Sequence, residues 1–162
     1  MYIQRIILAV WLLVVLAVPC KLEAKTGLPV PRFVSLRSGN INVRVGPGLH
    51  YPLEWVFVRN RLPVEIVAEF DAWRKIRDAE GVGGWVHQSM LSGTRMVLVL
   101  GAEQSLYKKP DINTPIIAKV QSGVIGKLLS CQEQLCRVQI EGYKGWILRE
   151  SIWGIYKSEV IK

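Results

Sequence analysis

The residues most able to do chemistry in this chain are Cys131, Cys136 and the only two histidines, His50 and His87. Four residues separate the two cysteines, whereas redox-active pairs are usually separated by two. A zinc site would need two further ligands nearby, and both histidines lie far away in the sequence. The third cysteine, Cys20, lies within an N-terminal segment that reads as a removable signal peptide, which leaves an even pair in the mature chain. Such a pair in an exported chain is typical of a structural disulfide, so we expect Cys131 and Cys136 to form one.

The sequence lacks the patterns of a hydrolase or a nucleotide-binding enzyme. It has no G-x-S-x-G motif, and a catalytic Cys–His pair would need a cysteine free of the disulfide. Gly46-Pro47-Gly48 is followed by Leu-His-Tyr-Pro, which cannot begin a helix, so it is interpreted as a turn rather than a phosphate loop. His50 and His87 stand singly at strand ends and are interpreted as surface or loop residues. We therefore expect no enzyme activity, no cofactor and no metal.

Aromatic and basic residues of the first half are the candidates for ligand binding: Arg44, Tyr51, Trp73 and Trp85. A guanidinium binds a carboxylate through two hydrogen bonds, and Trp and Tyr offer a large apolar face with a polar edge for a sugar or peptide. Tyr51 follows the turn at Gly46-Pro47-Gly48, which we call the glycine turn, and precedes Pro52, which favours an exposed position. For Arg44 the alternative is a solvated strand charge, and for Trp85 it is a tryptophan of a barrel core or rim.

The elements that would position these residues are short strands. From Pro31 onward, apolar alternations of 5 to 8 residues are separated by Gly, Pro, Asn and Asp, which is typical of an all-β chain with tight turns. The predicted strands of the first half are 41–45, 53–58, 63–70, 72–77 and 84–87, and a single 3₁₀ turn is predicted at 88–91.

The same order of segments recurs in the second half of the chain. Asn42-Val43-Arg44 aligns with Ser105-Leu106-Tyr107 at an offset of 63 residues. Gly84-Trp85-Val86 aligns with Gly145-Trp146-Ile147 at an offset of 61, and a slip of two residues within a loop is ordinary. The chain is therefore interpreted as two copies of one unit.

Each copy is predicted to have five strands, with the copies at residues 32–92 and 95–156. A unit of about 60 residues buries only a modest fraction of its surface. The joint between the copies, 91–96, is short, so we expect the two copies to pack against one another.

The N-terminal segment reads as a signal peptide at residues 1–24. Thirteen apolar residues, Ile6 to Val18, follow the positive charge of Arg5, whereas a membrane-spanning helix needs about 20. Cleavage near Ala24 would release a periplasmic or secreted protein with no stable membrane span, and an uncleaved N-terminal anchor is the alternative. The net charge of +8 favours anionic partners, and export argues against nucleic acid.

The stretch "INVRVGPGLHYPL" (41–53), followed about 30 residues later by "GGWVH" (83–87), resembles the bacterial SH3-like domain. The second half looks like the degenerate partner repeat of exported tandem SH3-like proteins, and the resemblance covers residues 32–158. It implies an all-β fold of two tandem SH3-like small β-barrels after the signal peptide. The second copy replaces the glycine turn with Lys109-Pro110-Asp111, which leaves open whether it binds anything.

The resemblance also implies a function, because relatives bind peptidoglycan stem peptides or cell-envelope proteins. We expect an exported, non-catalytic module that binds peptidoglycan peptide or glycan, or a periplasmic protein, through an aromatic and basic groove on the first copy. The alternative is a structural or assembly protein with one dedicated protein partner and no wall binding.

Overall fold

The computed structural model describes residues 26–162. The predicted signal peptide lies outside the described residues. Within the described range, fourteen strands and two short 3₁₀ turns follow one another, and none of the helical segments there is long and apolar enough to cross a membrane.

The first sheet is antiparallel and has seven strands. Its strands are β1 (Arg32–Leu36), β2 (Ile41–Arg44), β3 (Leu53–Phe57), β4 (Pro63–Phe70), β5 (Trp73–Arg77), β6 (Gly83–His87) and β7 (Leu91–Ser92). They are ordered β3-β2-β6-β5-β4-β1-β7. The predicted 3₁₀ turn is present at Gln88–Met90, between β6 and β7. We call this sheet and its core barrel 1.

The second sheet repeats this arrangement with seven further strands. They are β8 (Met96–Val99), β9 (Gln104–Tyr107), β10 (Ile116–Val120), β11 (Ile125–Cys131), β12 (Leu135–Ile140), β13 (Tyr143–Leu148) and β14 (Ile152–Trp153). The order β10-β9-β13-β12-β11-β8-β14 matches that of the first sheet strand for strand. We call this second sheet and its core barrel 2.

The all-β fold predicted from the sequence is confirmed, but the prediction of five strands per copy was wrong. Each sheet gains one strand at its start, β1 or β8, and one strand of two residues at its end, β7 or β14. The two-residue strands exist only because a neighbouring strand pairs with them, and so short a segment carries no alternation to detect.

Val45 also differs from the prediction, which placed it at the end of the first strand, 41–45. The β2–β3 register shifts between Val43 and Arg44, and β2 ends at Arg44. Such a bulge bends the strand and interrupts the alternation of side chains. Val45 therefore lies beyond the strand and is 51% exposed, whereas Val43 is fully buried.

Each barrel has its own apolar core. The core of barrel 1 includes Leu36, Ile41, Val43, Val64, Ile66, Ile76 and Val86. The core of barrel 2 includes Val97, Val99, Leu106, Leu128, Val138 and Ile147, together with Cys131 and Cys136. The inward side chains of paired strands thus fill each barrel, and the alternate side chains project outward.

The two barrels contact each other through an aromatic cluster. Phe33 of β1 packs against Trp153 and Tyr156, with ring centroids 4.9 and 4.7 Å apart. The guanidinium of Arg95 lies 5.8 Å from the centre of the Phe33 ring. Because Phe33 lies in β1 of barrel 1 and Trp153 in β14 of barrel 2, this cluster joins the two copies, as the short joint predicts.

The predicted disulfide is present. Cys131 and Cys136 are bonded, and they are opposite residues at the end of the β11–β12 pair. The bond therefore closes the hairpin of four residues between them, which we call the cysteine hairpin (132–135).

Candidate functional site

A row of opposed residues crosses the outer surface of barrel 1. The strand register places Leu53 opposite Arg44, Arg44 opposite Trp85, Trp85 opposite Lys75, and Lys75 opposite Ala68. Residues that are directly opposite in antiparallel strands project from the same side of a sheet. These five residues therefore form one line on the solvent side, which we call the first row.

A second row runs beside the first and is largely aromatic. Trp73 is opposite both Phe70 and His87 in the register, and Phe70 is 53% exposed. The Trp73 and His87 rings meet edge to face with centroids 5.7 Å apart. Together the two rows form what we call the aromatic face of barrel 1.

The buried side chain of Arg74 forms hydrogen bonds that hold the backbone beneath the aromatic face in place. Arg74 donates hydrogen bonds to the carbonyl oxygens of Asp71 and Trp73, at 2.7 and 2.8 Å, and to the side-chain oxygen of Gln88 at 2.6 Å. It also forms an ion pair with Glu69, with nitrogen and oxygen 3.1 Å apart. These bonds fix the β4–β5 turn and the end of β6, which carry the aromatic rings.

Glu69 supplies the negative charge that compensates the buried guanidinium of Arg74. Its carboxylate accepts hydrogen bonds from Arg32 and from the Thr26 hydroxyl, the latter at 2.7 Å. Burial alone would raise the pKa of Glu69, but these hydrogen bonds and the charges of Arg32 and Arg74 outweigh burial and hold the pKa below its usual value. Glu69 therefore remains ionised at neutral pH.

The glycine turn lies next to the first row, and the rings of Tyr51 and His50 pack against its two glycines. A Cβ on Gly46 would lie 2.5 Å from the Tyr51 ring, and one on Gly48 would lie 2.6 Å from the His50 ring. Arg44 donates a hydrogen bond of 2.6 Å to the carbonyl oxygen of Tyr51. The glycines thus make room for two side chains, which is the turn role expected from the sequence.

Gly84 allows β2 to approach β6. A Cβ on Gly84 would lie 2.7 Å from Cγ1 of Val43 and 2.8 Å from the carbonyl oxygen of Arg44. Both distances are shorter than real Cβ contacts. The close crossing that places Arg44 opposite Trp85 therefore depends on a glycine at this position.

The four residues predicted to bind a ligand lie close to one another. Arg44 and Trp85 are direct neighbours in the first row, and Trp73 is a diagonal neighbour of Trp85 in the second. Tyr51 adjoins the first row through its hydrogen bond with Arg44. The geometry is thus compatible with a common surface, and their ligand contacts stay a prediction.

Sequence reasoning missed three residues of the aromatic face: Phe70, Lys75 and His87. Phe70 and Lys75 were not among the predicted ligand contacts, and His87 was interpreted as a surface or loop residue. The ring of His87 also accepts a hydrogen bond from the backbone N–H of Ser89, which caps the 3₁₀ turn. Only the register shows that all three share a surface with Trp73 and Trp85.

The aromatic face carries available positive charge. The ammonium group of Lys75 is exposed and forms no ion pair or hydrogen bond with any described residue, whereas Arg77 is paired with Glu65. Arg44 uses one of its guanidinium nitrogens on Tyr51. In residues 26–162, no group of three His, Cys, Asp or Glu residues could hold a metal ion.

Comparison with known families agrees with this architecture. Residues 37–93 and residues 101–154 each match the family model described as "Bacterial SH3 domain". The matches cover more than half of the chain, so the protein belongs to the bacterial SH3 domain family. The resemblance inferred from the sequence, and the fold of two tandem SH3-like barrels that it implies, are thereby confirmed.

Two solved structures from Trichomonas vaginalis are similar at a low level. NlpC2 has a TM-score of 0.38 and 19% sequence identity, covering 82% of this chain and 51% of that one. NlpC1 has a TM-score of 0.35 and 18% identity, covering 80% and 48%. The chain spans about half the length of these proteins. No curated protein matches the chain.

Proposed function

We propose that this protein is an exported, non-catalytic module that binds the bacterial cell wall through the aromatic face of barrel 1. Bacterial SH3 domains commonly bind cell-wall components. The Cys131–Cys136 disulfide supports a periplasmic or secreted location, because disulfides persist in oxidising compartments.

The observation that carries this proposal is the order Arg44–Trp85–Lys75 in the first row. A tryptophan with a cation on each side matches a peptide that carries carboxylates. The indole packs against apolar parts of the peptide, and the cations bind its acidic groups. Leu53 and Phe70, both more than half exposed, extend the apolar surface at the ends of the two rows.

The ligand that fits this chemistry best is the peptide part of peptidoglycan. Its acidic groups are complementary to the net charge of +8 and to the unpaired Lys75. Binding of this kind needs no nucleophile, cofactor or metal, and we propose that the module acts without catalysis.

Sedimentation with insoluble peptidoglycan tests the proposal. The purified protein is expected to sediment with the wall at low salt and less at high salt, since exposed charges are screened. Lys75→Gln is expected to weaken binding about tenfold, because a charged hydrogen bond is lost. Lys127→Gln, which changes an exposed lysine of β11 in barrel 2, is the matched control and is expected to leave binding unchanged.

Two outcomes would contradict the proposal. A wild-type protein that stays in the supernatant at low salt would exclude wall binding and favour one dedicated protein partner. Equal binding by Lys75→Gln and Lys127→Gln would exclude the aromatic face as the binding surface.

A further inference from the structure

Barrel 2 carries a row that corresponds to the first row of barrel 1. The register places Ile116 opposite Tyr107, Tyr107 opposite Trp146, Trp146 opposite Arg137, and Arg137 opposite Ser130. The strands involved are β10, β9, β13, β12 and β11, the counterparts of the strands that build the first row. The tryptophan and the neighbouring cation are kept, and a tyrosine replaces Arg44.

This barrel 2 row is accessible and contains paired aromatic residues. Ile116 is 52% exposed, and Tyr107 and Trp146 are partly exposed. The guanidinium of Arg137 is exposed and forms no ion pair or hydrogen bond with the residues that the structure describes. Two adjacent aromatic side chains with one cation differ from barrel 1, where a single tryptophan lies between two cations.

A cavity adjoins the barrel 2 row. Its volume is about 270 Å³, and it lies between the β9–β10 turn and the cysteine hairpin, lined by Pro110, Gln132, Glu133, Gln134 and Leu135. Leu135 is two residues before Arg137 on the same strand, so both side chains project from the same side of the sheet. The cavity therefore lies beside the row, since Leu135 precedes Arg137 by two residues and Pro110 follows Tyr107 by three.

The backbone around this cavity is held by hydrogen bonds, and the polar side chains that line the cavity are free to bind. The Gln132 N–H donates to the Leu135 carbonyl at 2.9 Å, and the Arg149 N–H donates to the Gln134 carbonyl at 2.8 Å. The Arg149 guanidinium also donates to the Gln132 carbonyl, and the disulfide closes the base of the hairpin. In contrast, the side chains of Gln132, Glu133 and Gln134 are exposed and have no hydrogen-bond partner among the described residues.

We propose that this surface of barrel 2 is a second binding site, for an uncharged sugar unit of a glycan. Side-chain amides donate and accept hydrogen bonds, as sugar hydroxyl and acetamido groups require. Tyr107 and Trp146 offer apolar faces on which a sugar ring can stack. The carboxylate of Glu133 and the guanidinium of Arg137 together give this surface no net charge, so the charge pattern favours a neutral ligand here.

The second binding site rests on the proposed function in one respect, namely that both sites bind the same polymer. Barrel 1 would bind the peptide part and barrel 2 the glycan part of the same wall material. Linking two modest sites raises the overall affinity because the second binding event becomes intramolecular. A rigid hairpin also reduces the conformational entropy that is lost when the ligand binds.

Titration of the purified protein with tetra-N-acetylchitotetraose, followed by tryptophan fluorescence, tests the second site. The wild-type protein is expected to bind this sugar saturably. Gln134→Ala is expected to weaken binding about fivefold through loss of hydrogen bonds. Gln121→Ala, at an exposed glutamine outside the site, is the matched control and is expected to bind as the wild type does.

Two further measurements separate this site from barrel 1. Lys75→Gln is expected to leave the sugar affinity unchanged while it weakens wall sedimentation. Reduction of the disulfide is expected to weaken sugar binding, because the hairpin loses its constraint. Absence of saturable sugar binding, or equal affinities for Gln134→Ala and Gln121→Ala, would overturn the second site without affecting the proposal for barrel 1.

Discussion

Tyr156 donates a hydrogen bond of 2.8 Å from its phenol to Oε1 of Glu65, across the contact between the two barrels. The other oxygen of the same carboxylate accepts from Arg77. Burial raises the pKa of the Tyr156 phenol above its usual range, and the hydrogen bond and negative charge of Glu65 raise it further. The buried Glu65 thus has one donor from each barrel.

Tyr156→Phe is expected to lower the free energy of unfolding by about 1–2 kcal/mol, because a buried carboxylate oxygen loses a donor. Urea denaturation followed by tryptophan fluorescence measures the change. Tyr143→Phe is the control, since Tyr143 is exposed and its hydroxyl has no partner in the described part of the chain. Equal effects of the two substitutions would contradict this role of Tyr156.

The raised pKa of Tyr156 also predicts a pH dependence. The phenol is protonated in the folded state and ionises more readily once the protein unfolds, where its pKa is about 10. Its contribution is therefore complete below about pH 10 and is lost as the pH rises through the higher folded pKa. The stability difference between the wild type and Tyr156→Phe should shrink in this alkaline range, and a constant difference would contradict the pKa shift.

The repeat and the all-β fold could be predicted from sequence because both depend on local alternation and turn residues. The Gly84-Trp85 and Gly145-Trp146 pairs marked equivalent points of the two copies. The composition of the aromatic face could not be predicted in the same way. Its rows depend on strand register, and each β-bulge, such as the one between Ile66 and Ala68, changes which residues lie opposite one another.

The short joint predicts that the barrels contact each other, but the residues that form the contact could not be predicted from the sequence. Nothing local to Phe33 indicates that its ring meets Trp153 and Tyr156, which follow it by more than a hundred residues. Likewise, the basic run Arg74-Lys75-Arg77 is interpreted from the sequence as a solvated face, which is wrong for Arg74: it is 3% exposed, and the fold supplies its partner Glu69. Burial of an arginine is acceptable only where such a partner is present.

Glu69→Gln tests this buried ion pair. The side chains of Glu69 and Arg74 are 0% and 3% exposed, so removal of the carboxylate leaves a buried guanidinium without its counter-charge. We expect a loss of about 3 kcal/mol in the free energy of unfolding. Glu103→Gln is the matched control, because its ion pair with Lys119 is exposed and should contribute less than about 1 kcal/mol.

The lowered pKa of Glu69 sets the pH range of this effect. The contribution of the carboxylate is present above the unfolded pKa of about 4.3 and is lost as the pH falls through the lower folded pKa. Denaturation curves at pH 7 and at successively more acidic pH should therefore show the wild type and Glu69→Gln converging. A difference that does not shrink in acid would show that the carboxylate is not stabilised by its ionised partners.

Gly84→Ala tests the close approach of β2 and β6. The added Cβ would meet the Arg44 carbonyl oxygen at 2.8 Å, and backbone cannot move aside as a flexible side chain can. We expect a loss of about 1–3 kcal/mol in stability, typical of overpacking. Gly93→Ala is the control, since a Cβ at this position would have no atom within 4 Å. We expect this substitution to change the stability little. A neutral Gly84→Ala would show that the two strands can separate without cost.

Replacement of both Cys131 and Cys136 by serine tests the contribution of the cysteine hairpin to barrel 2. A disulfide that closes so short a loop contributes about 2 kcal/mol by restricting the unfolded chain. The double variant should unfold at a correspondingly lower urea concentration, while the tryptophan spectrum of its folded state stays close to that of the wild type. Thiol labelling of the unfolded, unreduced wild type should find both cysteines protected, and labelling of either one would show that the bond is not formed in the isolated protein. Unchanged stability of the double variant would show that Arg149, through its bonds to Gln132 and Gln134, is sufficient to hold the hairpin.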